Sequence, residues 1–325
     1  MIPNEHPSWN VIDSTKLKAY IECPRKYFYE YVIGWAPDTP AHALWFGSAV
    51  HTALEYMLRH KPRHGYDPDI SVPYELFLKA YREKFPADTD DTYYPKNPDN
   101  VVRMLEQYVN TYVVDSFKVE EVEISGSVSI GEKREIFFRL DAIIGEEGVR
   151  NILEHKTSAW SIPLWTNSMH MSIQAGTGLH VLKSMYGKDS PYIHFNGLFF
   201  RKSSPPKKDG TPRANAAKGN ELFRLPVAKS AMQMQDWLVH ARFYYDSIQE
   251  DMNILSEEKV DAPVMESFPK RNAGCFAYNR TCPFFDFCTT WTNPLRSCKV
   301  VQPGFVQKYW DPRDLDTEYT KKVEL

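Results

Sequence analysis

Charged side chains interrupt two consecutive apolar segments near the middle of the chain. The first segment, residues 138–144, carries Asp141, and the second, residues 151–158, carries Glu154 and Lys156. A short glycine-containing turn joins the segments, which predicts two strands of one hairpin. Alternate strand residues share a face, so we expect Asp141 to lie across the sheet from Glu154 and Lys156. Burying these charges is costly without a partner. The pattern therefore indicates a divalent cation between the carboxylates, with the lysine left to meet an anionic substrate.

A histidine and a glutamate lie one helical turn apart in the segment 47–56. His51 and Glu55 therefore share one face of the helix that this segment predicts. Small residues before His51 would let this helix approach a neighbouring strand closely. From the segment alone, a core histidine is the commoner interpretation, and a metal ligand is the alternative.

The cysteines fall at the two ends of the chain. Cys23 lies near the N-terminus, Cys275, Cys282 and Cys288 share one short C-terminal segment, and Cys298 follows. In an intracellular protein this density of thiols favours metal ligands over disulfides. Thiolates select zinc or an iron–sulfur cluster. Zinc is the weaker alternative, because zinc fingers and ribbons prefer closer cysteine pairs. From its own segment, Cys23 is predicted to be a buried core thiol between two short helices.

Composition limits the class of partner. The net charge of the 325 residues is about -3, so a nucleic-acid ligand would need a local basic groove rather than a basic protein. No apolar run is long enough to span a membrane, and the N-terminus lacks the charged and apolar regions of a signal peptide. We therefore expect a cytoplasmic protein with no membrane partner.

The elements around the charged hairpin predict an α/β (α+β) fold with a central mixed sheet flanked by helices. A strand at 119–130 precedes the hairpin, a helix at 166–186 carrying Gln174 follows it, and a strand at 192–200 comes next. A helix between two strands favours a crossover to a parallel neighbour. Near the N-terminus, Ser14 is predicted to cap the first helix.

We divide the chain into three regions on this basis. They are a helical N-terminal region at 1–118, a core of sheet and helix at 119–228 with a basic loop at 201–219, and a C-terminal region at 229–325 with a long helix and the clustered cysteines.

Together the motifs resemble the RecB-like branch of the PD-(D/E)XK nucleases, including iron–sulfur members such as AddB-type and CRISPR-associated exonucleases. Phage-encoded exonuclease-like proteins are the most similar in pattern. The matching motifs, in the family's order, are Ser14-x2-Leu17 through Cys23-Pro24-Arg25-Lys26-Tyr27, Gly47-x3-His51-x2-Leu54-Glu55, Asp141 with Glu154-x-Lys156, and Gln174 on the next helix. The resemblance spans roughly residues 11–290 and implies a restriction-endonuclease-like core.

Two positions depart from the family pattern. The family commonly has a tyrosine four residues after the glutamine, where this chain has Gly178. The first C-terminal cysteine pair is often Cys-x2-Cys in the family, whereas here six residues separate Cys275 from Cys282.

The resemblance implies metal-assisted hydrolysis of phosphodiester bonds. It assigns one or two Mg²⁺ or Mn²⁺ ions to His51, Asp141, Glu154 and the main-chain carbonyl of His155. Lys156 and Gln174 join the two carboxylates as catalytic residues that position water or phosphate. Glu55 either orients His51 through a hydrogen bond or only forms an ion pair along its helix.

The resemblance also implies a [4Fe–4S] cluster held by Cys23, Cys275, Cys282 and Cys288. Its role would be structural, since it would join the two ends of the chain. Cys298 is then a spare thiol, and the alternative is that it replaces Cys23 in a wholly local site.

The implied function is a DNA exonuclease acting on single-stranded or end-opened DNA in recombination, repair or phage DNA processing. The alternatives are a structure-selective or nicking endonuclease and a non-cutting DNA-binding assembly subunit. The chain has no ATP-binding Gly-x4-Gly-Lys-Ser/Thr motif, so unwinding would require a separate helicase or recombination protein. The setting implied is the cytoplasm of a bacterial host or phage-infected cell. The basic residues expected to contact DNA are Arg25, Lys26, Arg201 and Lys202.

Overall fold

The fold was analysed in a computed structural model that describes residues 5–187, 192–203, 207–208, 210–211, 219–276, 280–316 and 320–325. The α-helices in these parts are α1 (Ser14–Glu22), α2 (Pro24–Tyr27), α3 (His42–Arg59), α4 (Ser71–Arg82), α5 (Pro98–Thr111), α6 (Ile162–His170), α7 (Ile173–Tyr186), α8 (Ala231–Glu257) and α9 (Phe285–Thr290). The strands are β1 (Trp35–Pro37), β2 (Lys118–Gly131), β3 (Arg134–Glu146), β4 (Val149–Ser158), β5 (Ile193–Phe199), β6 (Glu221–Val227), β7 (Phe305–Gln307) and β8 (Lys321–Glu324).

A six-stranded mixed sheet forms the centre of the molecule. Its strand order is β6-β5-β4-β3-β2-β8, and β1 pairs separately with β7. The hairpin β3–β4 is antiparallel, whereas β4 and β5 are parallel because α6 and α7 carry the chain back across the sheet. The predicted mixed sheet flanked by helices is confirmed.

The middle of β4 is buried on both faces, which explains why its charged residues are unusual. Residues 151–155 are all buried. The turn before the strand is made by Glu147 and Gly148, both with positive φ, which lets the two strands reverse tightly. The sheet therefore carries its polar side chains into an enclosed layer between helices.

Small residues set the distance between helices and sheet. A Cβ built on Gly47 would lie 3.2 Å from Thr157 Oγ1, so α3 lies close against β4, as the small residues before His51 predicted. On α7, a Cβ at Gly178 would lie 2.8 Å from Ile193 Cδ1 and 3.0 Å from Ile152 Cδ1. This close packing leaves no room at Gly178 for the tyrosine common in the resembling family.

Several element boundaries differ from the sequence expectations. The helix expected at 166–186 is two helices, and Gln174 lies in the first turn of the second one, not two turns into a continuous helix. Ser14 is the first residue of α1, and the cap is Asp13, whose side chain accepts a hydrogen bond from Lys16 N.

The C-terminal region contributes to the same cores as the N-terminal helices. Phe268 and Phe284 pack with Tyr27 and Tyr29 of the N-terminal segment. The terminal strand β8 extends the main sheet beside β2. Across the described ranges, no helix combines the length and apolar character needed to cross a bilayer.

Candidate active site

The β3–β4 hairpin places its two carboxylates side by side. Ala142 pairs with Leu153, so the register puts Asp141 opposite Glu154. The main-chain N–H of Asp141 donates to Glu154 Oε1 at 3.3 Å, and the N–H of His155 donates to Asp141 Oδ2 at 2.7 Å. The two acids therefore lie next to each other on neighbouring strands.

Helix α3 brings His51 to Asp141. Its Nδ1 lies 3.4 Å from Asp141 Oδ1, and its side chain is 31% exposed. The ring therefore contacts an acid at the surface of a cleft rather than packing in an apolar core. The geometry favours the ligand interpretation of His51 over the core interpretation.

Lys156 and Gln174 both contact Glu154. Gln174 Nε2 donates to Glu154 Oε2 at 2.8 Å, and Lys156 Nζ lies 3.3 Å from the same oxygen. Glu154 as a whole is only 1% exposed. Because α7 begins at Ile173, the glutamine projects from the first turn of the helix toward the sheet. The structure thus brings together five of the predicted residues, which are His51, Asp141, Glu154, Lys156 and Gln174.

Burial and neighbouring charges shift the pKa values of the two carboxyls in opposite directions. Burial raises the pKa of Glu154 to about 7, and the negative charge of Asp141 adds to the rise. Burial also opposes ionisation of Asp141, but the charge of His51 and the hydrogen bond from His155 hold its pKa well below the usual range. For His51, burial lowers the pKa, and the Asp141 carboxylate outweighs this so that the net shift is upward. Glu154 is therefore the acid of the pair that takes up a proton first as pH falls.

A third buried acid, Glu123, was not identified from the sequence. It lies on β2 between Val122 and Ile124, whose partners Ala142 and Leu140 flank Asp141. Burial raises the pKa of Glu123 to about 7, with the nearby charge of Asp141 adding to it.

The backbone explains why Glu123 was missed. The residue has φ of 54°, and the β2–β3 register shifts between Val119 and Glu121. Both features break the simple alternation of a strand, so the pattern of three glutamates at 120, 121 and 123 does not reveal which one faces the site. In the structure Arg139 Nε holds Glu123 Oε2 at 2.6 Å.

The ring of His155 is a second residue whose role the sequence did not show. It is buried, its Nε2 lies 2.9 Å from Tyr108 Oη, and its Nδ1 lies 3.5 Å from Asp141 Oδ2. Asn196 Nδ2 donates to the same tyrosine oxygen at 2.9 Å. The hydroxyl proton is then free to donate to His155 Nε2, which leaves the proton of the neutral ring on Nδ1, facing Asp141.

The hydrogen-bonded chain continues away from the site. Arg224 Nε donates to Asn196 Oδ1 at 2.6 Å, which fixes the orientation of the amide. The same guanidinium binds Asp115 through two bonds of 2.7 and 2.8 Å. Asp141 is therefore oriented by a buried network that extends across β4, β5 and β6. Motifs in the sequence did not predict this network, because its members lie far apart along the chain.

Glu55 pairs along its own helix. Its Oε1 accepts hydrogen bonds from Arg59 Nε at 2.9 Å and Nη2 at 2.8 Å. Of the two sequence alternatives, the structure favours the ion pair on the helix over a hydrogen bond to His51.

Arg25 does not contact solvent. It is 2% exposed, and its Nε donates to the carbonyl oxygen of Phe268 at 2.8 Å. The prediction that Arg25 contacts DNA is wrong, because its guanidinium is used to hold the loop around Phe268. Lys26, on the same short helix, pairs with Glu22 at 3.3 Å and stays a prediction as a DNA contact.

The two remaining predicted DNA contacts lie at the start of the basic loop. Arg201 forms an ion pair with Glu221, and Lys202 Nζ lies 5.7 Å from the centre of the Tyr94 ring. Their contact with DNA stays a prediction. In the loop 201–219, residues 204–206, 209 and 212–218 lie outside the described residues.

Four cysteines converge where the N-terminal helices meet the C-terminal region. A Cβ built on Gly274 would lie 3.8 Å from Cys23 Cβ, which places the segment of Cys275 against Cys23. The main-chain N–H of Cys282 donates to the carbonyl oxygen of Cys275 at 2.8 Å. Burial raises the pKa of Cys288 to about 11, with the thiols of Cys23 and Cys282 adding to it.

The remaining thiol interactions follow the same grouping. Burial raises the pKa of Cys282, and the thiols of Cys23 and Cys275 add to the rise. Burial also raises the pKa of Cys298, but none of the other four thiols contributes to that shift. All five cysteines, each in a described part of the chain, are free thiols.

Within the described residues, no group of three or more His, Cys, Asp or Glu side chains is positioned so that it could hold a metal. At the acidic site, the oxygens of Asp141 and Glu154 instead accept hydrogen bonds from donors of the protein itself.

Manganese should stabilise the protein more at about pH 8 than at about pH 5.5. The pKa of Glu154 rises from 4.5 to about 7 on folding. The metal-free fold therefore holds a proton that the unfolded chain lacks, and its stability falls as pH rises through that window. A cation must displace this proton, so its binding strengthens over the same window. Thermal unfolding with and without Mn²⁺ measures the difference. Equal shifts at both pH values, or the same shifts in Asp141→Asn, would contradict the assignment.

Tyr108→Phe should destabilise the protein even though no carbon atom is removed. Its hydroxyl is buried between His155 Nε2 and Asn196 Nδ2, and both would lose a partner. The expected loss in unfolding free energy is about 1–3 kcal/mol. Urea denaturation measures it against Tyr244→Phe, at a half-buried tyrosine of α8 that packs on Phe243. The network assignment fails if the two substitutions have the same small effect.

Comparisons with known proteins place the chain in a family. Residues 14–289 match the family described as the PD-(D/E)XK nuclease superfamily. No curated protein matches the chain. One similar solved structure, titled "Crystal structure of SSO0001", is 14% identical with a TM-score of 0.31, and the match covers 74% of this chain and 76% of that one. This structural likeness is too low to carry an argument. The family match covers most of the chain and agrees with the mixed sheet flanked by helices, so the chain belongs to the PD-(D/E)XK nuclease superfamily.

Proposed function

We propose that the protein is a divalent-metal-dependent DNA exonuclease. The observation that carries the proposal is that Asp141 and Glu154 lie next to each other, with His51 in contact with Asp141 and Lys156 in contact with Glu154. The substrate is single-stranded or end-opened DNA, and the setting is recombination, repair or phage DNA processing in the cytoplasm.

The donor set fits a hard divalent cation. Two neighbouring carboxyls with opposite pKa shifts share a site in which one positive charge would relieve their repulsion. Carboxylate and main-chain oxygens suit Mg²⁺, and an added imidazole also suits Mn²⁺. The residues that would hold one or two such ions are His51, Asp141, Glu154 and the main-chain carbonyl of His155. A bound ion would supply Lewis-acid activation of water and charge stabilisation at phosphate.

The chain's own groups would orient the reactants. Lys156 is 29% exposed at its side chain, so its ammonium can leave Glu154 to meet a phosphate oxygen or hold the attacking water. Gln174 of α7 donates a hydrogen bond to Glu154 and would position water or phosphate. The network through His155 and Tyr108 holds Asp141 in place.

Free DNA ends distinguish the proposed activity from its alternatives. An exonuclease digests a linear strand and leaves a closed circle intact, whereas a nicking or structure-selective endonuclease cuts the circle. A non-cutting assembly subunit would leave both intact. The buried acids and Lys156 argue against that subunit, because burying these groups is costly without a function.

Lys156→Ala should lower the rate of DNA cleavage about 10²–10³-fold, the usual loss when a donor to developing charge is removed. The measurement is Mn²⁺-dependent release of nucleotides from end-labelled single strands, with closed circular single strands in parallel. Lys79→Ala, at an exposed lysine of α4, is the matched control and should keep full activity. If Lys156→Ala cleaves DNA at the full rate, catalysis does not take place at this site. If the wild type cuts the closed circle, the protein is an endonuclease rather than an exonuclease.

We also propose that Cys23, Cys275, Cys282 and Cys288 hold a [4Fe–4S] cluster. The support is that their thiols interact with one another while Cys298 lies outside the group. The cluster would join the N-terminal helices to the C-terminal region, where Phe268 and Phe284 already pack on the tyrosines of the N-terminal segment. Its role would be to hold these parts together rather than to transfer electrons.

Anaerobically purified protein should be brown and contain about four iron atoms and as many sulfides per chain. Cys282→Ser should lose the iron and the visible absorbance, whereas Cys298→Ser should keep both. Metal analysis and visible spectroscopy make the comparison. Stoichiometric zinc in a colourless protein would refute the cluster. Loss of iron in Cys298→Ser would show that Cys298, rather than Cys23, is the fourth ligand.

A further inference from the structure

An open groove of about 760 Å³ lies between the end of α3 and the start of β2. Among its lining residues, cations outnumber acids. The cationic side chains are Arg59, Lys61, Arg63, Lys118 and Lys321, and the acids are Glu120 and Glu121. The protein as a whole has a net charge of about -3, so this groove is a local exception to the surface charge.

Both walls of the groove lead to the candidate active site. Helix α3 carries His51 and ends at Arg59, eight residues or about 12 Å further along its axis. Strand β2 enters the groove at Lys118 and leaves it at Val122, one residue before Glu123 beside Asp141. The groove is therefore built from the same helix as His51 and the same strand as Glu123.

The acids of the groove are already paired. Glu120 accepts from Arg150 Nε at 2.6 Å, and Glu121 pairs with Lys321. Arg63 and Lys118, in contrast, are exposed, and in the parts of the chain that are described no carboxylate pairs with either. Their positive charge is available to an anion from outside.

A purely structural role explains only part of this arrangement. Cations after the end of a helix interact favourably with its negative C-terminal end, which accounts for Arg59 and Lys61. Lys61 is also held in place, since its Nζ donates to the carbonyl oxygen of Asp115 at 3.0 Å and lies 4.7 Å from the Phe117 ring centre. Helix stabilisation does not account for Lys118, which begins the strand on the opposite wall.

We propose that this groove binds the sugar–phosphate backbone of a single DNA strand whose end lies at the carboxylates, with Arg63 and Lys118 as phosphate contacts. The inference rests on the proposed nuclease function and assigns the path of its substrate. The groove volume lies within the range of ligand pockets, about 300–1,000 Å³, which suits a few nucleotides of one strand. Backbone contacts of this kind bind DNA without regard to sequence.

The test is binding of a fluorescein-labelled oligothymidine single strand to the full chain, followed by anisotropy, with Ca²⁺ in place of Mn²⁺ to prevent cleavage. Each phosphate contact to a single strand contributes about 0.7 to the salt dependence of log affinity. The double variant Arg63→Ala/Lys118→Ala should therefore lose about 1.4 from that slope and bind roughly twentyfold more weakly at about 0.1 M salt. Its Mn²⁺-dependent hydrolysis of bis(p-nitrophenyl) phosphate, which is too small to occupy the groove, should be unchanged.

The matched control is Lys79→Ala/Arg103→Ala, which removes the same charge from exposed positions on α4 and α5. The control should bind like the wild type, and a double variant indistinguishable from it would overturn the groove assignment. If the wild type cleaves DNA while the groove variant keeps its salt slope, only this inference fails. If the wild type neither binds nor cleaves, the proposed function fails with it.

Discussion

The side-by-side burial of two carboxyls is the constraint on which the site depends. Asp141 and Glu154 face each other across one hairpin, and they cannot both be charged there without a counter-charge. The charge of His51 holds the pKa of Asp141 well below its usual range, whereas burial raises the pKa of Glu154 to about 7. A divalent cation offers a second solution, in which both carboxyls are charged. The electrostatics of the site therefore support the proposed binding of a divalent cation.

The fold supplies the rigid elements that this constraint requires. The hairpin lies in the middle of a six-stranded sheet, with α3 close against β4 at Gly47 and α7 close against it at Gly178. These contacts position His51 of α3 beside Asp141 and Gln174 of α7 beside Glu154. The chain from His155 through Tyr108 holds Asp141 by hydrogen bonds rather than by packing alone. Precision at the site thus comes from regular elements, not from loops.

Much of the site was predictable because it follows regular periods. Strand alternation predicted that Asp141 lies near Glu154 and Lys156, and helical spacing predicted that His51 reaches a neighbouring strand. Glu123 was hidden because a positive φ and a shifted register break the alternation on which such predictions rely. Arg25 was misjudged because its partners are main-chain carbonyls from a loop more than 200 residues away, which no local pattern reveals. Local periodicity could be read from the sequence, whereas polar contacts between residues far apart in the chain could not be predicted from it.

The most direct test of the account is a crystal structure of the protein grown with Mn²⁺, with data collected at the manganese absorption edge. We expect an anomalous peak at ligand distance from the carboxylates of Asp141 and Glu154 and from the imidazole of His51. A peak at another place in the fold, or none under conditions in which the protein cleaves DNA, would contradict it.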